Sequence, residues 1–313
     1  MKKIVNHVAT FLALLLLAHL LAGCSPAGRE VVVYTSQDEM YADPIFKEFT
    51  KRTGIPVRAL YDSESVKTVG LANRLRSERA HPACDLFWNN EEFRTRQLAA
   101  EGIFDPVAGW IPLGHRSRRI VVNTDIVRAL NYPKSPFDLT NSYWRGHFAI
   151  AYPMFGTTST YFLALRQAIG DARWRVWCTN LVANQPLLVD GNSLVVKFVR
   201  NGQAWAGLTD SDDISSAQEN GAPLEGLPLN HASLLIHNTL GLIANAPHPA
   251  EARQLMEFLR SPEVARELMN SKALEAMEDG NDGTYTLHVK WDRVLQDVDE
   301  ATAAMQAIFL RNP

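Results

Sequence analysis

The chain has 313 residues, 46% of them hydrophobic and 21% charged, with a formal net charge of −3. That balance belongs to an ordinary globular protein, long enough for one large domain or two lobes. The weak negative charge argues against nucleic acid, whose recognition favours a strongly basic face. Three cysteines, none paired at zinc-ligand spacing, exclude a zinc-finger framework.

Lys2 and Lys3 precede an apolar run from Val8 to Leu21, and Ala22, Gly23 and Cys24 follow. A short apolar core behind a basic start, ending at small residues, reads as a secretory signal over residues 1–23. The run is too short to cross a bilayer, which takes ~20 apolar residues, and no later run is long and apolar enough to do so. Leu21-Ala22-Gly23-Cys24 resembles the bacterial lipobox, in which the cysteine is acylated and the chain is cut just before it. Cys24 is therefore the expected lipidation site, on a mature protein held to a membrane outside the cytoplasm. Ser25 resembles the residue that permits sorting to the outer membrane in Gram-negative bacteria.

After a linker over 24–29, three strand–loop–helix units follow in a row. Residues 30–34 predict a strand and 40–52 a helix, with Ile45, Phe46 and Phe49 inward and Gly54 past its end. Residues 57–61 and 66–79 repeat the unit, as do 85–88 and 92–100. A second series pairs a strand at 147–151 with a helix at 161–169, and 187–189 with 194–200. The strand at 204–208 precedes a short helix. Alternation of this kind implies α/β architecture, with mostly parallel sheets flanked by helices. Between the series, a Pro-rich stretch from Pro106 to Pro136 carries the apolar Ile120-Val121-Val122 and reads as a crossing strand; residues 234–244 read as the return. Residues 249–270 predict two helices with Ser261-Pro262 between them. The expected organisation is a first lobe from 30–115, a crossing at 116–126, a second lobe over 127–233, the return at 234–244, and completion of the first lobe by 245–313. Arg116 to Arg119 reads as a solvated edge near the hinge, with docking to a partner as the alternative. Trp174 and Trp177 read as helix core, and Cys84 and Cys178 as buried thiols.

In open parallel sheets, ligands gather where strands run into helix N-termini, whose unpaired N–H groups suit oxygen-rich or anionic groups. Thr35, Ser36 and Gln37 occupy the first such loop, Asp62 and Ser63 the second, and Asn89, Asn90 and Glu91 the third. Each set has a local alternative as helix cap or Asx-turn. Gly156, Thr157, Thr158 and Ser159 join a permissive backbone to hydroxyls at the start of a helix, an anion cradle without the lysine of a phosphate loop. Asn192 and Ser193, after Gly191, are a weaker copy. Thr209, Asp210, Asp212 and Asp213 form the sharpest cluster, in which Asp210 and Asp212 are the metal-ligand candidates. Clustered carboxylates suit a metal ion, an ammonium group or sugar hydroxyls. Asn238 either contacts the ligand or stitches the hinge. His231, His237 and His248 are scattered and read as structural or exposed. There is no Gly-x-Ser-x-Gly elbow and no His-Glu-x-x-His, so no enzyme is expected.

Val31-Val32-Val33-Tyr34-Thr35-Ser36, Tyr61-Asp62-Ser63, Asp85-Leu86-Phe87-Trp88-Asn89-Asn90-Glu91, Gly207-Leu208-Thr209-Asp210-Ser211-Asp212-Asp213 and Phe258-Leu259-Arg260-Ser261-Pro262-Glu263 resemble bacterial extracellular solute-binding proteins of family 1, closest to the ferric-ion-binding branch. The resemblance implies a two-lobed periplasmic-binding-protein fold of type II that closes on a solute. It also implies a monomer that hands the solute to the permease and ATPase subunits of an ABC importer, with no enzymatic cofactor. Ferric-binding members carry two adjacent tyrosines on the loop matching 209–213, and this chain has no Tyr-Tyr pair. Two ligand classes therefore stay open: ferric iron held by carboxylates with an anion, and a phosphorylated or phosphonate solute. Sensing through a histidine kinase is the alternative to import.

Overall fold

Strand β1 (Val31–Thr35) is buried along its whole length, because helices cover both faces of its sheet. Its side chains alternate between two cores, as the period of a strand requires. Val31 and Val33 pack with helix α1 (Glu39–Thr53), while Val32 and Tyr34 pack with α2 (Val69–Ser77) on the opposite face. A strand buried on both faces reads as a continuous apolar run, which is how Val31-Val32-Val33 appears in the sequence. The computed structural model describes residues 29–62, 68–277 and 287–310. Cys24, Ser63 and the signal and linker residues before 29 lie outside the described residues.

Strand β1 lies between β2 (Val57–Tyr61) and β3 (Leu86–Asn89), parallel to both, and α3 (Glu92–Ala100) follows β3. The chain then enters β4 (Trp110–Asn123), a 14-residue strand that belongs to both halves of the molecule. Its first part pairs antiparallel with the return strand β9 (Leu235–Leu242), which in turn pairs antiparallel with β3. Its second part pairs with β7 (Ala206–Asp210) and with β8 (Leu224–Pro228), a strand absent from the sequence reading. Parallel strands β5 (Phe148–Ala151) and β6 (Leu187–Val189) complete the second half beside β7. The order β2-β1-β3-β9-β4-β7-β5-β6 thus joins two parallel sets through two antiparallel crossing strands.

A bulge interrupts the β4–β9 register between Pro112 and His115, and Gly114 sits there at φ +68°. A Cβ on Gly114 would lie 2.6 Å from the Ala276 carbonyl oxygen and 2.8 Å from Leu274 Cδ1. Backbone cannot move aside cheaply, and a left-handed φ strains any side chain. Gly114→Ala should therefore cost at least about 2 kcal/mol by overpacking alone. Urea unfolding measures it, and a loss under about 0.5 kcal/mol, the range of a neutral surface change, would show that the bulge relaxes.

The second half carries α4 (Gly156–Ile169), α5 (Asp171–Ala183), α6 (Asn192–Arg200) and α7 (Ser211–Glu219). Helices α8 (Pro249–Leu259) and α9 (Pro262–Asn270) return to the first half, where Leu255, Leu259, Val264 and Leu268 enter its core. The last helix, α10 (Trp291–Phe309), does not follow them. It packs on α4 and α5, placing Val294, Ala301, Met305 and Phe309 beside Phe162, so the expected assignment of 245–313 to the first lobe is corrected for this helix. Trp174 and Trp177 lie in the same core, and Cys84 and Cys178 are buried free thiols.

Candidate functional site

Helix α4 starts earlier than its sequence suggests. Thr157, Thr158, Ser159 and Thr160 are weak helix formers, so they read as a loop; in the fold they are the buried first turns of α4. Gly156 opens the helix at φ +55°, a conformation glycine adopts without strain. Neither α4 nor α6 has a side-chain cap hydrogen bond, since their N-cap residues are Phe155 and Gly191. Both N-termini open into one cleft of about 540 Å³. Likewise the expected loop over 209–213 does not exist: β7 runs to Asp210 and α7 begins at Ser211, which places Asp212 and Asp213 in its first turn.

Most of the second-lobe candidates converge here. Gly156, Thr157, Thr158, Asn192, Ser193, Asp210, Asp212 and Asp213 line the cleft, facing Asn90. The oxygens of the three aspartates lie within 4.8 Å of one another. Asp210, however, is held entirely by protein. Arg118 Nη1 donates to its Oδ1 at 2.8 Å, and Thr157 Oγ1 (2.6 Å), Asn192 Nδ2 (3.0 Å) and Arg116 Nη2 (3.3 Å) all donate to its Oδ2. Both oxygens of Asp210 are therefore engaged by protein donors. Burial opposes its ionised form, but the two guanidiniums and Thr157 hold its carboxyl below the usual carboxylate range.

Of the other candidates Asn90 lines the cleft, while Thr35, Ser36, Gln37, Asn89 and Thr209 are buried in hydrogen bonds and do not line it. Thr35 Oγ1 accepts from Gln37 N at 3.0 Å, and Ser36 Oγ donates to Asn89 Oδ1 at 2.6 Å and accepts from Asn90 N at 2.8 Å. Gln37 Oε1 accepts from Asn238 Nδ2 at 2.9 Å, which ties β9 to the end of β1. Asn89 Nδ2 donates to the Glu91 carbonyl and to Thr95 Oγ1. Glu91 caps α3 through Phe93 N and Arg94 N and accepts from Thr160 Oγ1 of the second half at 2.9 Å. Thr209 Oγ1 donates to the Asn192 carbonyl and to Asp213 Oδ2, both at 3.3 Å. Asp62 Oδ2 accepts from Leu71 N at 3.4 Å and does not line the cleft. His237 and His248 pair with Glu92 and Asp85.

Four important residues escaped the sequence reading. Arg116 and Arg118 were expected on a solvated edge, yet they are 3% and 0% exposed. They stand two apart on β4 and so point to the same side, where Asp210 and Asp212 receive them; Arg118 Nη2 also binds Thr158 Oγ1 at 2.8 Å. A charged run that meets a charged run elsewhere in the chain is indistinguishable, in one dimension, from a wet edge. Asp38 and Tyr41, at the start of α1, line the cleft opposite α7. The Tyr41 phenol is pushed well up, first by burial and then by the carboxylates of Asp212, Asp38 and Asp213. In the sequence Tyr41 lies inside the helix expected over 40–52, with no local pattern that sets it apart.

The profile of bacterial extracellular solute-binding proteins matches residues 31–271. The chain belongs to that family. As a solute-binding protein it is 24% identical over 284 residues to the major ferric iron-binding protein of Neisseria meningitidis serogroup A, covering 82% of this chain and 84% of that one. Iron-bound HitA from Pseudomonas aeruginosa superposes with a TM-score of 0.76 at 21% identity, over 90% of this chain and 99% of HitA. The periplasmic binding protein AfuA from Actinobacillus pleuropneumoniae, with fructose-6-phosphate bound, superposes with a TM-score of 0.80 at 14% identity, over 91% and 100% of the two chains. These likenesses bear out the type II periplasmic-binding-protein fold, and the relatives are binding proteins, not enzymes.

Proposed function

We propose that this solute-binding protein captures ferric iron together with a small anion in the periplasm and delivers it to the permease and ATPase of an ABC importer. In this reading it works as a monomer, tethered by lipid on Cys24. The observation that carries the iron is the hard-oxygen set across the cleft: Asp38 and Tyr41 from the first half face Asp212 and Asp213 from the second. Phenolate and carboxylate are the donor types that suit a hard, highly charged cation. Tyr41 supplies the phenol from the first half, whereas the resemblance puts the two tyrosines of ferric-binding members on the stretch matching 209–213, where this chain has none. Beside this set, the uncapped N-termini of α4 and α6 offer N–H groups and partial positive charge to the anion. Ligands reaching both halves at once favour closure by hinge bending.

A second reading rests on that anion cradle. A cleft of about 540 Å³ is the size of a small organic ligand, and Lys197 and Arg200 join its lining. A phosphorylated or phosphonate solute would put its anion at Thr157 and Thr158 and its hydroxyls or amine at Asp212. Calorimetric titration of the mature protein with ferric citrate and with fructose 6-phosphate separates the two. Binding of ferric citrate at ~1 μM or tighter (about −8 kcal/mol), with no response to the sugar phosphate, is the expected result; the reverse pattern overturns the iron reading.

A further inference from the structure

Helix α6 turns a whole face to the cleft, not only its N-terminus. Asn192, Ser193, Val196, Lys197 and Arg200 line the cavity, and their spacing is that of one side of a helix. On the other side, Val195 and Val199 pack in the core with Ile214 of α7. Helix α7 lines the same cavity through Asp213, Ser216 and Ala217. The space therefore continues from the helix N-termini along the groove between α6 and α7. From Asn192 to Arg200 that groove runs ~12 Å at the ordinary helical rise. A ferric ion with one inorganic anion fills only the head of a cavity of about 540 Å³, a volume that suits an organic ligand.

The two ends of the groove differ in charge. Asp212 and Asp213 stand at its head, and Lys197 and Arg200 at its far end. Both cations are exposed, and their side chains have no ion-pair partner among the described residues. Elsewhere in the second half, Arg166 and Arg175 share Asp171 and Glu300. Cations in a last turn offset the helix dipole, but that role does not require them to line a cavity. Their place here suits a second anionic group brought in by the cargo itself.

We propose that Lys197 and Arg200 form a second anion subsite, which holds a free carboxylate of an organic polycarboxylate that enters the cleft bound to the iron. This rests on the reading that the cleft takes ferric iron with an anion, and it names the class of that anion. The metal-bound oxygens of the chelator stay with the iron at the head of the groove, near the N-termini of α4 and α6. Its remaining carboxylate reaches along α6 to the two cations. That arm selects a chelate over iron accompanied by a small anion. A solute with two phosphates would present the same chemistry to the subsite, and the test separates the two sources.

The test is calorimetric titration of the wild type and of the double variant Lys197→Gln, Arg200→Gln with ferric citrate and with ferric oxalate. Oxalate spends both of its carboxylates on the metal, whereas citrate keeps an acidic arm to spare. Both positions are exposed, so the fold should stand, and a thermal melt checks it. The double variant should lose about tenfold more affinity for ferric citrate than for ferric oxalate, the scale of two exposed charge contacts. The excess should shrink in high salt, which screens such charges. A double variant that keeps its affinity for ferric citrate, or loses as much for ferric oxalate, overturns the subsite and leaves the iron reading intact. A wild type that prefers ferric oxalate does the same. A wild type that ignores both complexes defeats the iron reading, and the subsite is then read from fructose 1,6-bisphosphate against fructose 6-phosphate. Tighter binding of the bisphosphate, lost in the double variant, keeps the subsite and reassigns its anion to a second phosphate. Equal binding of the two sugars, or no binding of either, overturns it.

Discussion

Replacing Arg118 by methionine should lower the unfolding free energy by about 3 kcal/mol, the lower end of the range for stranding one partner of a buried ion pair. The lower end applies because Arg116 still faces Asp210, at 3.3 Å, once the 2.8 Å contact from Arg118 is gone. Thr158 Oγ1 and the Leu208 carbonyl lose a donor in the same step. Urea denaturation of the two proteins measures the loss, and a difference under about 1 kcal/mol, within the range of an exposed pair, would mean that Asp210 does not depend on Arg118. Pairing the change with Asp210→Asn should recover part of the stability, since no carboxylate is then stranded. Acid behaviour should change as well. Asp210 titrates below the usual carboxylate range, so its contribution is fully present above the unfolded value of about 3.9 and fades as pH falls through the depressed folded value. Removing Arg118 raises that folded value, and the variant should begin to lose stability at a higher pH than the wild type.

Tyr41→Phe should weaken ferric iron binding by a factor on the order of 100, the upper end of what even an outer partner of a metal ligand costs. The change removes one oxygen and leaves the ring in place on α1. Burial and three carboxylates disfavour the phenolate, so a highly charged cation has to supply the driving force for losing the proton. Phenolate bound to ferric iron absorbs visible light, so the loaded wild type should be coloured and Tyr41→Phe colourless. Competition against a chelator of known strength gives the affinity. An affinity within threefold of the wild type, with the visible band intact, would remove Tyr41 from the iron site. Thermal melting should be nearly unchanged, which separates loss of a ligand from loss of the fold.

The units that are readable in one dimension are those whose signal is local. Continuous apolar strands such as Val31–Thr35 and Leu86–Asn89 announce a sheet buried on both faces, and the repeated strand–helix alternation announces its parallel sets. The convergence of 156–158, 192–193 and 210–213 was legible because strand ends and helix starts in such a sheet share one edge. The boundaries around them were not. Threonines 157, 158 and 160 are helical because tertiary burial overrides weak propensity, and β8 was missed because Leu224–Pro228 contains a glycine and a proline in five residues. Arg116, Arg118 and Tyr41 were missed for a deeper reason. Each is defined by a partner far away in the chain, such as Asp210 for Arg118, and neither periodicity nor spacing carries that pairing.

The placement of the two C-terminal regions has a consequence for how the protein is made. The first half contains β1 yet needs Leu255 to Leu268 to seal its interior, and the second half needs Phe309. Neither unit can therefore finish folding as an autonomous N-terminal fragment while synthesis proceeds, the usual order for multidomain chains. On the proposed route out of the cytoplasm, this interleaving keeps the nascent polypeptide threadable until nearly all of it has been produced. The same arrangement grades the damage of a late truncation: a chain ending before α10 leaves Phe162 and its neighbours in the second half uncovered, while one ending before α8 opens both interiors.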